Sequence, residues 1–176
     1  MIKIVEGNLF DSSANFIVHQ TNCQGVMGSG VAAQVRQFYP HVEKEYMRYV
    51  RYTKKNKLPI LGTAQYVPVD SWALVMVDAI KNNNVIAYDS KYQYIVNVFG
   101  QSDFGTDGKI YTNLKALKNA LIDVKKKAQT IGASIALPYG IGSVRGNASW
   151  DDVYKIIKDV FGNSGLDVEI RKLDLG

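Results

Sequence analysis

The chain has 176 residues, 47% hydrophobic and 11% aromatic, enough apolar material for one packed core and suited to a single domain over residues 1–176. A single cysteine, Cys23, excludes an internal disulfide framework, and His19 and His41 form no cluster spaced for a metal, so neither metal nor cofactor is expected. The net charge of +5 favours anionic partners, no run approaches the roughly 18 apolar residues of a membrane span, and Met1 to Val5 reads as a first strand and not a leader, so a cytoplasmic protein with no membrane partner is expected.

In chain order, Ile2, Ile4 and Val5 make a short strand that stops at Glu6-Gly7-Asn8-Leu9-Phe10, followed by a turn at Asp11-Ser12-Ser13. Phe16-Ile17-Val18 is a continuous apolar run, as in a strand buried on both faces. After a polar, glycine-rich stretch, Val31, Val35 and Phe38 recur at helical spacing, and Pro40 closes that helix and opens another through Tyr46, Tyr49 and Val50. Thr63 to Val69, Trp72 to Val77 and Val85 to Tyr88 read as strands. Tyr94 to Phe99 is again a buried-type strand and leads into the polar loop Gly100 to Gly108. Leu114, Leu117, Leu121, Val124, Ala128 and Ile131 alternate spacings of three and four, the pattern of a helix with one apolar stripe, ended by Gly132. Ser134 to Pro138 is a short buried strand running into a second glycine-bearing loop, Tyr139 to Asn147. Ser149 caps a last helix with Val153, Ile156, Ile157, Val160 and Phe161 on its buried face, and Val168 to Leu173 supplies a final strand.

Strands and helices interleave, and each of the two glycine-rich loops lies between a buried strand and a helix. In an open α/β sheet such loops gather at the carboxyl ends of the strands, so the two should face each other across one cleft.

The stretch from Val18 to Ala32 carries the strongest chemical signal. Its glycines let backbone N–H groups converge on an anion, and the following helix N-terminus adds about half a positive charge, so a phosphorylated or diphosphate ligand is expected. Gly28-Ser29-Gly30-Val31-Ala32-Ala33 also fits the dinucleotide pattern G-x-G-x-x-A. The residues Asn22 to Met27 separate it from the strand end, however, and Tyr49 and Val50 stand where an acid for a ribose belongs, which argues against a dinucleotide-dependent dehydrogenase. Lys54-Lys55-Asn56-Lys57 and Lys125-Lys126-Lys127 read as solvated surface, since no aromatic residues interleave them as a base-stacking platform requires.

The fuller pattern His19-x-x-Asn22-Cys23-x-Gly25-x-Met27-Gly28-x-Gly30-x-Ala32, preceded by Gly7-Asn8-Leu9 and followed by Leu137-Pro138-x-Gly140-Ile141-Gly142-Ser143, resembles the macrodomain family over essentially the whole chain. It looks closest to the branch with ADP-ribose 1''-phosphate phosphatases and is also similar to that of small ADP-ribosylhydrolases. The resemblance implies a three-layer α/β/α fold with a mixed central sheet and a cleft for ADP-ribose. It places Asn8 and the Leu9 backbone at the adenine, where many members carry an aspartate; Asn accepts there without charge, or merely caps local backbone. It gives Asn22 the distal ribose, with a simple turn role as the alternative. It has Gly28, Ser29, Gly30 and Val31 contact that ribose and one phosphate through backbone N–H. It wraps Gly140, Ile141, Gly142, Ser143 and Val144 around the diphosphate, an approach that a Cβ at Gly30 or Gly142 would obstruct.

His19 interrupts an apolar strand and is the sharpest catalytic candidate, a general acid or base with a pKa near neutrality; the competing reading is a satisfied core histidine. Cys23 has no assignable basic partner and reads as a structural thiol. Asp103 and Asp107 are candidates to activate water, or solvated turn residues, and Phe104 either packs on the ligand or anchors its loop. A related hydrolase branch carries a lysine on the strand corresponding to Tyr94 to Val98 and an aspartate before the position of Trp150; this chain has neither, which argues against a covalent lysine intermediate. The expected activity is hydrolysis of the phosphate of ADP-ribose 1''-phosphate. Water attacks phosphorus or the anomeric carbon while loop amides stabilise charge and His19 moves a proton. Two alternatives stay open: a mono-ADP-ribosylhydrolase acting on modified protein or nucleic acid, and an ADP-ribose-binding module with little turnover. The implied partners are ADP-ribose or its 1''-phosphate and ADP-ribosylated macromolecules.

Overall fold

The computed structural model describes residues 1–71 and 88–173. The strands expected at Trp72 to Val77 and Val85 to Tyr88 lie outside these residues, except for Tyr88 itself, whose ring packs against Tyr66 and Tyr94. In chain order the elements are β1 (Ile2–Glu6), a 3-10 turn (Leu9–Asp11), β2 (Phe16–Asn22), α1 (Gly30–Phe38), α2 (Pro40–Lys55), β3 (Ala64–Pro68), β4 (Tyr94–Gln101), α3 (Leu114–Ile131), β5 (Ile135–Pro138), α4 (Trp150–Phe161) and β6 (Val168–Lys172). The strands form one six-stranded sheet in the order β1-β6-β5-β2-β4-β3. Neighbours run parallel except β3, which is antiparallel to β4, so the sheet is mixed.

Helices cover both faces, which explains why the central strands are apolar without alternation. Successive side chains of β2 point to opposite faces. Phe16 and Val18 join Val96, Val98 and Leu137 beneath Leu117, Leu121 and Val124 of α3 and Ile157 of α4. Ile17 joins Ile95, Phe99 and Ala136 beneath Val35 of α1 and Val42, Tyr46 and Val50 of α2. Each fully buried Leu, Ile, Val or Phe among these contributes about 1.5–3 kcal/mol through the removal of apolar surface from water.

Local signals set the helix ends. Asn113 Oδ1 accepts from Ala116 N at 2.9 Å at the start of α3, and Gly132 closes that helix in the left-handed region at φ 68°. Ser149 Oγ accepts from Asp152 N at the start of α4, and Pro40 opens α2 from its first turn. Strands β2 and β4 run past their apolar segments to Asn22 and Gln101, because pairing of Thr21 with Phe99 and of Asn22 with Gln101 extends the ladder beyond the core. Their last, polar residues therefore stand at the carboxyl edge of the sheet. Among the described residues no helix is long and apolar enough to cross a membrane.

Candidate functional site

The loops after β2, β4 and β5 leave the same edge of the sheet, since these three strands are parallel. They enclose two adjoining cavities. The first, about 380 Å³, lies between Asn22, Gly28 and Ser29 of the loop after β2 and Phe104, Gly105 and Thr106 of the loop after β4. The second, about 230 Å³, lies between the first turn of α1 and the loop after β5, with Gly30 and Val31 on one side and Gly140, Ile141, Gly142 and Val144 on the other. The two glycine-bearing loops thus face each other across one cleft, as their placement after parallel strands requires.

Residues with free backbone amides line the second cavity. Ala33 N is the first amide of α1 with a backbone acceptor, Ser29 O at 3.2 Å, so those of Gly30, Val31 and Ala32 remain open at the positive end of the helix. In the opposite loop Ile141 N, Ser143 N and Val144 N close tight turns onto Pro138 O and Gly140 O. Among the described residues the amides of Gly140 and Gly142 have no acceptor. Both glycines sit at positive φ, 76° and 72°, a conformation that side chains disfavour. A Cβ on Gly142 would lie 3.0 Å from Gln20 Oε1, so the crowding there comes from β2 beneath the loop. At Gly30 a Cβ would meet only Arg145 Cγ at an ordinary 3.5 Å, and the requirement for glycine is its φ of 59°. The structure thus gives both positions a backbone reason for glycine, with packing against β2 added at Gly142, and these are separate from the obstruction of a ligand expected of a Cβ there.

His19 lines the second cavity and not the first, and its ring is buried. It belongs to a polar row across three strands, because His19 is in register with Asn97 and Asn97 with Gln65. Asn97 Nδ2 donates to Gln65 Oε1 at 3.0 Å, and Gln65 Nε2 donates to Glu45 O at 3.1 Å. Asn97 must therefore present its oxygen to His19, 2.6 Å away, and His19 Nε2 carries the proton in that bond. Nδ1 is left as a bare acceptor, buried and without a partner. Burial pulls the imidazole from its ordinary 6.5 down to about 4, against the opposing bond from Asn97. The expected pKa near neutrality does not hold: at pH 7 this ring is neutral, and its Nδ1 offers a hydrogen-bond acceptor.

On the other face of β2, Gln20 anchors the loop after β5. Its Nε2 donates to Gln101 Oε1 at 2.6 Å and Thr112 Oγ1 at 2.8 Å, and Thr112 Oγ1 donates to Gly142 O at 2.7 Å. Gly146 packs onto the same hydroxyl so closely that a Cβ there would fall 1.8 Å from Thr112 Oγ1. Gln20 Oε1 and Ser143 Oγ are, like His19 Nδ1, buried without a partner; Gln20 and His19 line the cleft, whereas Ser143, expected at the diphosphate, lines neither cavity.

Asn22 lines the first cavity, but its side chain also orders its own loop. Oδ1 accepts from Gln24 N at 2.9 Å and from Tyr46 Oη at 2.9 Å, while Nδ2 donates to Val26 O at 2.8 Å, leaving its second N–H. Cys23 is buried, its thiol pushed up to about 11 by desolvation despite nearby Lys54, and Sγ donates to Gln101 O. That is the environment of a structural thiol. Asn8 caps the 3-10 turn by accepting from Phe10 N at 3.0 Å, Leu9 is buried, and neither lines the two cavities. Asp107 is held by Lys109 at 2.7 Å and by the Tyr111 hydroxyl at 2.6 Å. Asp103 is exposed, accepts from Phe104 N at 2.8 Å and does not line the cavities, whereas Phe104 does.

Sequence reasoning missed Gln20, Thr112, Asn97 and Arg145. Gln20 and Asn97 carried a weak signal as polar residues inside otherwise apolar strands. Arg145 is a cation within a glycine-bearing loop, and it lines both cavities.

An α/β/α sandwich with glycine-bearing loops meeting at the carboxyl edge of a mixed sheet defines the class of α/β/α domains with a cleft at that edge. No family model matches the chain. It is 30% identical over 136 residues to the ADP-ribose 1''-phosphate phosphatase of Scheffersomyces stipitis, a match covering 73% of this chain and 72% of that protein. Among solved structures it is similar to a macrodomain protein from Streptomyces coelicolor, with TM-score 0.72, 25% identity and full coverage of both chains. The macrodomain of Mycobacterium tuberculosis DarG gives 0.72 at 20% identity, covering 98% of this chain and 97% of that one. Thermosipho africanus DarTG in complex with ADP-ribose gives 0.73 at 20% identity, covering 99% of this chain and 42% of that one. The chain belongs to the macrodomain family.

Proposed function

We propose that the cleft binds ADP-ribose and that the protein hydrolyses the phosphate of ADP-ribose 1''-phosphate. The observation that carries this reading is the lining of one cavity by Gly30, Val31, Ala32, Gly140 and Gly142, whose amides are open, which suits a diphosphate. The 30% identical relative bearing that activity in its name, and the neighbour in complex with ADP-ribose, support it.

In this reading the diphosphate occupies the second cavity between α1 and Gly140 to Val144, and the adenine extends towards Asn8 and Leu9. The distal ribose occupies the first cavity against Gly28, Ser29 and the remaining N–H of Asn22. Water attacks phosphorus, the bond from phosphorus to the sugar oxygen breaks, that oxygen takes up a proton, and inorganic phosphate leaves. Oriented amides stabilise the developing charge, each contributing about 3 kcal/mol in the transition state. His19, neutral with Nδ1 bare, serves as acceptor for a ligand hydroxyl or for water on the side of the second cavity, and Asp103, next to the lining residue Phe104 but outside both cavities, would have to move inward to activate water. Attack at the anomeric carbon gives the same products, and labelled water separates the two routes: the heavy oxygen enters phosphate in the first and ADP-ribose in the second.

Calorimetry with ADP-ribose tests the binding step, and absence of detectable heat overturns the reading of the cleft. Release of inorganic phosphate from ADP-ribose 1''-phosphate tests the reaction, and full activity in His19→Ala removes His19 from it. A second reading, an ADP-ribose-binding module with little turnover, is favoured by one observation: among the described residues no carboxylate lines either cavity. ADP-ribose binding without phosphate release, or release of ADP-ribose from modified peptides in a parallel assay, selects between this reading and hydrolysis of macromolecular conjugates.

A further inference from the structure

Arg145 is the one ionised side chain lining the cleft among the described residues, since the other lining groups are backbone, apolar, hydroxyl and amide groups and a neutral imidazole. It borders both cavities, with its alkyl stem beside Gly30 at the start of α1. It is exposed, and among the described residues no carboxylate pairs with it. An arginine with its stem beside the start of α1 at the junction of two cavities, with its fork of donors unclaimed, suits an anion at that junction.

The proposed ligand presents anions of two kinds. The diphosphate is common to ADP-ribose and its 1''-phosphate, and the five open amides of the second cavity answer it without a formal charge. The phosphomonoester on the distal ribose adds close to two further negative charges at neutral pH. Among the described residues lining the first cavity, Arg145 is the one cation that can meet it. We propose that Arg145 is the specificity-determining residue of the cleft: it pairs with the monoester phosphate on the distal ribose and separates the phosphorylated nucleotide from the unphosphorylated one. This rests on the reading of the cleft given above.

The test compares wild type, Arg145→Gln and Arg145→Lys in binding ADP-ribose by calorimetry and in KM for phosphate release from ADP-ribose 1''-phosphate. If the wild type shows no turnover, calorimetry is used for both ligands. Loss of a bidentate charged pair corresponds to about a tenfold to hundredfold change, so Arg145→Gln lowers the preference for the phosphorylated ligand by at least about tenfold. Arg145→Lys, which keeps the charge but loses the fork, lies between. Lys126→Gln on α3, outside both cavities, removes the same net charge and leaves the preference unchanged. Below about pH 6 the monoester takes up its second proton, and the wild-type preference falls while that of Arg145→Gln stays flat. Equal losses for both ligands in Arg145→Gln assign the residue to the diphosphate and overturn the proposal, as does an unchanged preference. A wild type that binds neither nucleotide overturns the reading of the cleft itself, whereas a wild type that binds ADP-ribose alone leaves that reading standing and removes the role of Arg145.

Discussion

At the scale of single residues, the strand signals that pointed to chemistry divide into atoms turned towards the cleft and atoms that hold it in shape. His19 does both: Nε2 is tied through Asn97 and Gln65 to the backbone of α2, and Nδ1 is left bare. Its depressed pKa fixes the sign of a pH effect. Between about pH 4 and 6.5 the unfolded chain binds a proton that the folded chain does not, so stability rises with pH through that window and is complete above it. Acidifying from pH 6.5 to 4 costs on the order of 3 kcal/mol. Denaturant midpoints across this range should show a slope in wild type that is missing in His19→Asn; equal slopes would mean that the ring is protonated in the fold. The histidine was legible in sequence, but its charge state was not, because desolvation is set by α1, α2 and the neighbouring strands. Asn22 was legible too, yet most of its hydrogen-bonding capacity serves the turn at Gln24 and Val26, so the turn reading holds and one N–H is left over.

At the scale of elements, the loop after β5 owes its shape to contacts far away in sequence. Thr112 joins Gln20 of β2 to Gly142 of the loop, and Gly146 fits only because it lacks a Cβ. Thr112→Val keeps the volume and removes both bonds, leaving the Gly142 carbonyl with Ala148 N and the Gln20 amide with Gln101, a cost of about 1–3 kcal/mol for the two bonds together. We expect the melting temperature to fall by several degrees and ADP-ribose affinity by about tenfold, and unchanged affinity in calorimetry would mean that the loop keeps its shape without this tie. Gly142→Ala adds a Cβ 3.0 Å from Gln20 Oε1 at a φ of 72°, so it should lower affinity further while far-ultraviolet dichroism stays native. The helices were readable because their apolar stripes, caps and stops are local. The end of β2 was not, since Gln20 to Asn22 are polar and become strand only through pairing with β4.

At the scale of the whole molecule, binding and stability are linked. Saturating ADP-ribose at about one hundred times its dissociation constant adds about 2.7 kcal/mol to the folded state, which for a chain of this size is a rise in melting temperature of about 5–10 °C. A thermal scan that shows no rise would contradict binding. The basic balance of the chain should also make the affinity fall with added salt, more steeply for the phosphorylated ligand than for ADP-ribose.

The sequence by itself determined the α/β class, the helices with their caps, the buried central strands and the two glycine-bearing loops, because each of these follows from short-range periodicity and backbone preference. The shared cleft was also expected from the order of strands and loops, but only the tertiary structure decided that it divides into two cavities, that His19 is neutral with its Nδ1 bare, that Gln20 and Thr112 hold the second loop, and that Arg145 is the cation between the cavities. Those properties arise from parallel pairing that sets residues 19 and 97 side by side, and from a bridge of residue 112 to the end of β4 that brings it to residue 20, across roughly 80 or 90 positions of chain. No local pattern encodes that proximity, and with it come the burial and the hydrogen bonds that decide what each group does.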